Sequence, residues 1–174
     1  SEDPYIFKLT DAPYIKGREL LTDVRKVTSR PGWTVREMAE ALTPWMDELK
    51  KSLDSDGSLP FTFLDASPFN TIITATGEVK FFDLEWTARK NVPFLPTITN
   101  HLYVTFGRIG GVYSPAAETP LVYPELALAL LREWGFDFSI KDIRASWETS
   151  ETLWIHVLRS SPDWDELCAR VLFV

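Results

Sequence analysis

Three polar residues, Asp65, Asn70 and Asp83, stand at the edges of an apolar, strand-forming stretch, LDASPFNTIITATGEVKFFDLEW, residues 64–86. Burying such groups without a task is costly, so their placement points to chemistry. Pro68 holds a tight loop between Asp65 and Asn70, while TIIT (71–74) and VKFF (79–82), joined by a turn at Thr76-Gly77, predict a hairpin. A hairpin that leaves after Asn70 and returns before Asp83 brings the Asn amide oxygen and the Asp carboxylate to one end. Hard oxygen donors of this kind suit Mg²⁺ or Mn²⁺, which combine a few protein ligands with phosphate oxygens and water. Asp65, not itself a ligand, can orient an attacking hydroxyl and accept its proton.

Plainer roles stand beside this one. Asp65 and Asn70 can close an Asx-turn and cap a loop. Asp83 and Glu85, two apart on one expected strand, can form a solvated edge, and two carboxylates so placed rarely face each other across a sugar as a glycosidase pair must. Trp86 is read as a packing aromatic, His101 and His156 as satisfied structural histidines, and Cys168 as a buried, inert thiol. Arg89-Lys90 can reach a phosphate or remain solvated.

The elements that must position the trio are mostly helical. Val35, Met38, Ala39, Leu42, Trp45, Met46, Leu49 and Leu53 recur every three or four residues, and Thr34 with Glu37 makes a capping box at the start. Pro44 inside this stripe predicts a kink or break near Thr43. Leu20, Leu21, Val24 and Val27 predict a short helix over 18–28 after an extended start at Tyr5 to Phe7. FTFL (61–64) reads as a strand. Further helices are expected around Ile98 to Phe106, over Pro124 to Trp134 before Gly135, and after Ser161 as cap with Pro162 at the first position. The fold class is therefore α+β, mainly α, with one small β-hairpin, and residues 1–174 form a single module.

Composition narrows the function. With 18 Lys+Arg against 25 Asp+Glu the net charge is −7, and no basic run appears, which argues against a nucleic-acid or anionic-lipid partner. One cysteine and two histidines exclude an intrachain disulfide and a Cys-based zinc site. No stretch approaches the ~18 apolar residues of a membrane span, and the acidic start, SEDPYIFK, lacks a signal-peptide pattern. A cytoplasmic protein with no transmembrane segment is expected.

The spacing Asp-x₄-Asn, followed by an Asp thirteen residues after the Asn, resembles the catalytic loop and metal-binding Asp of protein-kinase-like phosphotransferases. FFDLEW, with Glu85 where a protein kinase has glycine, looks more like the aminoglycoside- and choline-kinase branch. DASPFNTIIT followed by FFDLEW is similar to kinase-like modules attached to bacterial methyltransferases and glycosyltransferases of surface-polysaccharide synthesis. The resemblance implies a kinase-like C-lobe: Asp65 as catalytic base, Asn70 as a metal ligand, and Asp83 as the principal metal ligand bridging nucleotide phosphates. It further implies that YIKGREL (14–20) is the hinge leaving the adenine site and that residues 33–53 lie under the catalytic loop. Two departures accompany it. Phe63 replaces the loop's histidine, and too few residues precede the expected hinge for a glycine-rich loop and phosphate-gripping lysine.

The expectation is the C-lobe of an ATP- and Mg²⁺-dependent phosphotransferase whose N-lobe is absent from this chain. It would act on a hydroxyl of a glycan or small molecule within a larger bacterial glycan-modifying enzyme, and would be inactive as the isolated chain. The alternative is a non-catalytic kinase-like scaffold that docks a fused or partner methyltransferase or glycosyltransferase domain through the aromatic, Pro-rich 91–124 region.

Overall fold

A computed structural model describes residues 5–7, 14–110, 112–158 and 162–169, without the side chains of residues 5 and 150–158. The expectations for His156 and Ser161 lie outside these. Strand β1 (Tyr5–Phe7) is followed by β2 (Arg18–Glu19) and helix α1 (Leu20–Thr28), then by α2 (Val35–Lys51). Strand β3 (Ser58–Leu59) leads into two 3-10 turns, Phe61–Asp65 and Pro68–Asn70. Strands β4 (Thr71–Ile73), β5 (Val79–Phe81), β6 (Trp86–Ala88) and β7 (Val92–Pro93) come next. Helices α3 (Phe94–Phe106), α4 (Tyr123–Glu133), α5 (Ile140–Leu158) and α6 (Trp164–Ala169) complete the order. The result is α+β with small sheets, mainly helical as expected.

The α2 stripe does the work its periodicity implies. Met38, Leu42, Trp45, Met46 and Leu49 are fully buried, and α2 packs between α1 and α4. Its start is the expected capping box, with Glu37 N–H donating to Thr34 Oγ1 at 3.2 Å and Thr34 N–H to Glu37 Oε2 at 2.9 Å. The expected break near Thr43 does not occur, because Pro44 sits inside one continuous helix. In the preceding turn the Ala39 carbonyl takes Thr43 Oγ1 at 2.8 Å and Trp134 Nε1 at 3.3 Å. The missing Pro44 amide leaves the Glu40 carbonyl on the partly open face, and the buried anchors on both sides, Leu42, Trp45 and Met46, hold the helix through it.

A second correction concerns FTFL. It forms the first 3-10 turn rather than a strand, with Phe63 N–H donating to Pro60 O and Ala66 N–H to Phe63 O. The hairpin itself is as expected: β4 and β5 are antiparallel, with Thr71 opposite Phe81 and Ile73 opposite Val79. Helix α5, absent from the expected elements, starts on a Ser139–Asp142 box, Ser139 N–H donating to Asp142 Oδ2 at 2.8 Å and Asp142 N–H to Ser139 Oγ at 3.3 Å. At the start of the last helix Asp163 Oδ1 accepts from Glu166 N–H at 2.8 Å. Cys168 is exposed rather than buried.

The segment over 112–122 is a strap tied by its backbone to residues 28–33, with Tyr113 and Leu121 exposed on it. Tyr113 N–H donates to Thr28 O, Gly32 N–H to Ser114 O, and Ala116 N–H to Trp33 O. Around it the aromatic core closes, with Tyr103 and Tyr123 at 5.0 and 5.9 Å from Trp147 between ring centroids. Trp33, Trp45 and Trp147 are fully buried or nearly so, as the helical stripes imply.

Strand β2 enters the sheet through Gly17. A Cβ there would lie 2.3 Å from Ile72 Cγ2 and 2.6 Å from the Ile73 carbonyl oxygen, closer than real contacts allow, and the backbone oxygen cannot move aside. Gly17→Ala should therefore lower stability by about 1–3 kcal/mol through forced displacement of β2, read as a lower midpoint in urea denaturation. An unchanged midpoint would show that β2 contributes nothing to the fold.

Candidate functional site

The loop between the two 3-10 turns is buried, so its backbone needs partners away from water. Four consecutive carbonyls receive side-chain donors. His101 Nε2 donates to Leu64 O at 2.8 Å, Asn70 Nδ2 to Asp65 O at 3.1 Å, Trp45 Nε1 to Ala66 O at 2.7 Å, and Thr71 Oγ1 to Ser67 O at 2.8 Å. Two of the donors come from helices far away in sequence, α2 and α3. They anchor the loop, while Phe63 beside it packs edge-on against Phe81, 5.3 Å between centroids.

Because its acceptor is a carbonyl, His101 carries its proton on Nε2. Burial holds its pKa down to about 4, with the Leu64 hydrogen bond opposing. His101 is thus a neutral structural histidine, as read from the sequence, and its structural task is the loop.

The loop, the end of the hairpin and one face of α3 enclose a cavity of about 270 Å³. Asp65, Asn70 and Asp83 all line it, together with Glu85 and Trp86. Asn70 is 4% exposed, and since its amide nitrogen is spent on the Asp65 carbonyl, its Oδ1 is the atom left to meet a ligand. Phe82 N–H donates to Asn70 O at 3.0 Å, continuing the hairpin pairing up to the residue before Asp83. Asp83 then adopts φ 55°, a left-handed conformation that aspartate tolerates better than most residues. That turn ends the strand and sets the carboxylate at the cavity edge.

The solvated-strand reading of Asp83 and Glu85 is corrected at this point. Residues 83–85 belong to no strand, β5 having ended at Phe81 and β6 beginning at Trp86, and both residues line the cavity, Asp83 remaining exposed. Trp86 packs against Phe7, 5.1 Å between centroids, and also lines the cavity. Phe69, His101 and Val104 line it too, and sequence reasoning missed Ser67, Asn100 and Arg108. The signal was present along α3 and just past its end, where Asn100, Val104 and Arg108 recur every fourth residue.

Burial pushes the Asp65 carboxyl up to about 7, the nearby Asp83 carboxylate adds to this, Arg108 opposes it and Glu85 adds a smaller push. A carboxylate poised there can take a proton from a hydroxyl near neutrality. Asn70 and Asp83 supply oxygen donors of the kind a small divalent ion takes alongside phosphate and water. Among the described residues no group of three or more His, Cys, Asp or Glu is arranged to hold a metal ion. No helix among the described residues is long and apolar enough to cross a membrane. Neither family models, curated proteins nor solved structures match the chain.

The raised pKa of Asp65 has a sign for stability. Between about 4 and 7 the folded chain keeps a proton that the unfolded chain has released, so stability falls as pH rises through that window. His101 contributes the opposite slope from about 4 to 6.5, since the unfolded chain there binds the proton. Asp65→Asn removes the first effect and leaves the second. In metal-free buffer the variant should match the wild type near pH 4 and exceed it at pH 8 by on the order of 3 kcal/mol. Urea unfolding at the two pH values reads this difference; parallel curves would show that Asp65 is ordinarily solvated.

Proposed function

We propose that this chain is the kinase-like C-lobe of an ATP-dependent phosphotransferase acting on a hydroxyl of a glycan or small molecule. The observation that supports it is the convergence of Asp65, Asn70 and Asp83 on one cavity, with the Asn70 amide turned so that its oxygen remains for a ligand. Phosphoryl transfer is mainly positioning and charge neutralisation, and this arrangement supplies both. Asp65 receives the proton of the acceptor hydroxyl as the new oxygen–phosphorus bond forms and the bond to the bridging oxygen of ADP breaks. Asn70 Oδ1 and the Asp83 carboxylate would hold Mg²⁺ or Mn²⁺, which when bound neutralises phosphate oxygens. Asp83 and Glu85 would repel a nucleotide in the ion's absence, so nucleotide and metal enter this site together. The nucleotide's other contacts are assigned to a preceding N-lobe, within a larger bacterial enzyme that also modifies glycans.

The scaffold alternative drew on the aromatics of 91–124 as a docking face. Phe94, Phe106 and Tyr123 are instead buried and Tyr103 half-buried, leaving Tyr113 at 55% exposure, so the phosphotransfer reading is the better supported. Asp83→Ala in the intact protein should reduce transfer from ATP by at least about a hundredfold while leaving the thermal midpoint within a few degrees, because the side chain is exposed. Transfer of radiolabelled phosphate from ATP to a glycan acceptor gives the measurement. Full turnover by the variant would eliminate the reading and return the scaffold to first place.

A further inference from the structure

The cavity has a second wall that proton transfer and metal binding leave unused. Asn100, Val104 and Arg108 line it along α3 and the residues just past its end, with Ser67 opposite on the loop. The spacing of four places the three on one face of the helix and its continuation. The Ser67 hydroxyl is fully buried and has no hydrogen-bond partner. A buried hydroxyl in that condition carries a desolvation cost that a bound oxygen would relieve. Asn100, 3% exposed, lines the same space.

Arg108 gives this wall its charge. Its guanidinium lies over the Phe69 ring, 3.7 Å from the centroid, which fixes the plane and leaves the edge donors for a carboxylate or phosphate. It is the only lysine or arginine among the described residues that line the cavity. Asp83 and Glu85 line the same cavity. An anionic group is drawn to Arg108 and repelled by the two carboxylates, so a ligand with one charged end settles with that end on Arg108. Trp86 adds an apolar ring at the rim, suited to the C–H face of a sugar.

We propose that this wall is the acceptor subsite and that the acceptor is an anionic sugar. Arg108 holds its carboxylate or phosphate, Ser67 and Asn100 hold its hydroxyls, and the opposite end of the sugar is directed toward Asp65. The inference rests on the phosphotransfer reading for the role of that last hydroxyl. The seat for the anion rests on the wall itself.

Binding is measured directly, without turnover. The ¹⁵N-labelled chain is titrated with D-glucuronate, D-glucose 6-phosphate and neutral D-glucose in metal-free buffer at constant ionic strength, following amide shifts. Both anionic sugars should produce saturable shifts at Ser67, Asn100 and Arg108, with glucose binding far more weakly. Arg108→Gln, a change at an exposed side chain, should weaken the anionic sugars about tenfold or more with the spectrum otherwise preserved. Ser67→Ala should weaken all three sugars. Equal binding of the three, or anionic binding unchanged in Arg108→Gln, overturns the proposal.

Mn²⁺ added to a separate sample distinguishes the two readings. Broadening centred on Asn70 and Asp83, without anionic-sugar binding, would remove the subsite and retain phosphotransfer. Anionic-sugar binding without such broadening would retain the seat and count against phosphotransfer.

Discussion

Everything at the site depends on how a buried loop satisfies its own carbonyls. From Leu64 to Ser67 the backbone runs through the core, where each unpaired oxygen would cost on the order of 1–3 kcal/mol. Four side chains meet the four oxygens. Because His101 and Trp45 belong to α3 and α2, the loop is tied to the packing of both helices. Because Asn70 and Thr71 belong to the hairpin's start, it is tied to the sheet as well. The same bond that satisfies Asp65 O also orients the Asn70 amide, so loop closure and ligand presentation are one interaction.

A loop held this rigidly can carry an unfavourable charge. Asp65 is partly buried near Asp83, and burial with like charge raises its pKa to about 7. Left alone, such a group favours its protonated form and works against folding at alkaline pH. Asp83 adds a left-handed backbone at φ 55°, another local cost of the kind that persists only where the surroundings over-determine it. Strained backbone, a perturbed carboxyl and an unpartnered Ser67 hydroxyl all fall on one cavity of about 270 Å³. Stability is spent there in a way that core packing elsewhere in the chain does not require.

Much of the site was legible before any coordinates. Asp65, Asn70 and Asp83 could be gathered on one cavity because a hairpin has a fixed geometry: two strands separated by a turn bring their outer ends together whatever surrounds them. The capping box at Thr34 was legible for the same reason, being complete within four residues. Less was legible wherever the deciding partner lay far along the chain. The loop's anchors come from Trp45 and His101, the Ala39 carbonyl beside Pro44 is met by Trp134, and the strap at 112–122 bonds to residues 28–33. FTFL was read as a strand from its β-forming residues, yet those residues close a tight 3-10 turn against β6, where Leu64 is buried and its carbonyl is held by His101 from a distant helix.

Local pattern by itself determined the helices α1 to α4, the hairpin β4–β5 and the convergence of the polar trio. Each of these follows from interactions a few residues apart, with 3.6-residue periodicity, a capping box or a two-strand turn as the physical cause. Tertiary packing decided that α2 continues through Pro44, that Asp83 and Glu85 line a cavity while Asp83 stays exposed, and that Arg108, Asn100 and Ser67 line it with them. The burial of a carbonyl, the dielectric around a carboxyl and the facing of two walls depend on which distant elements pack together, and no local spacing carries that information.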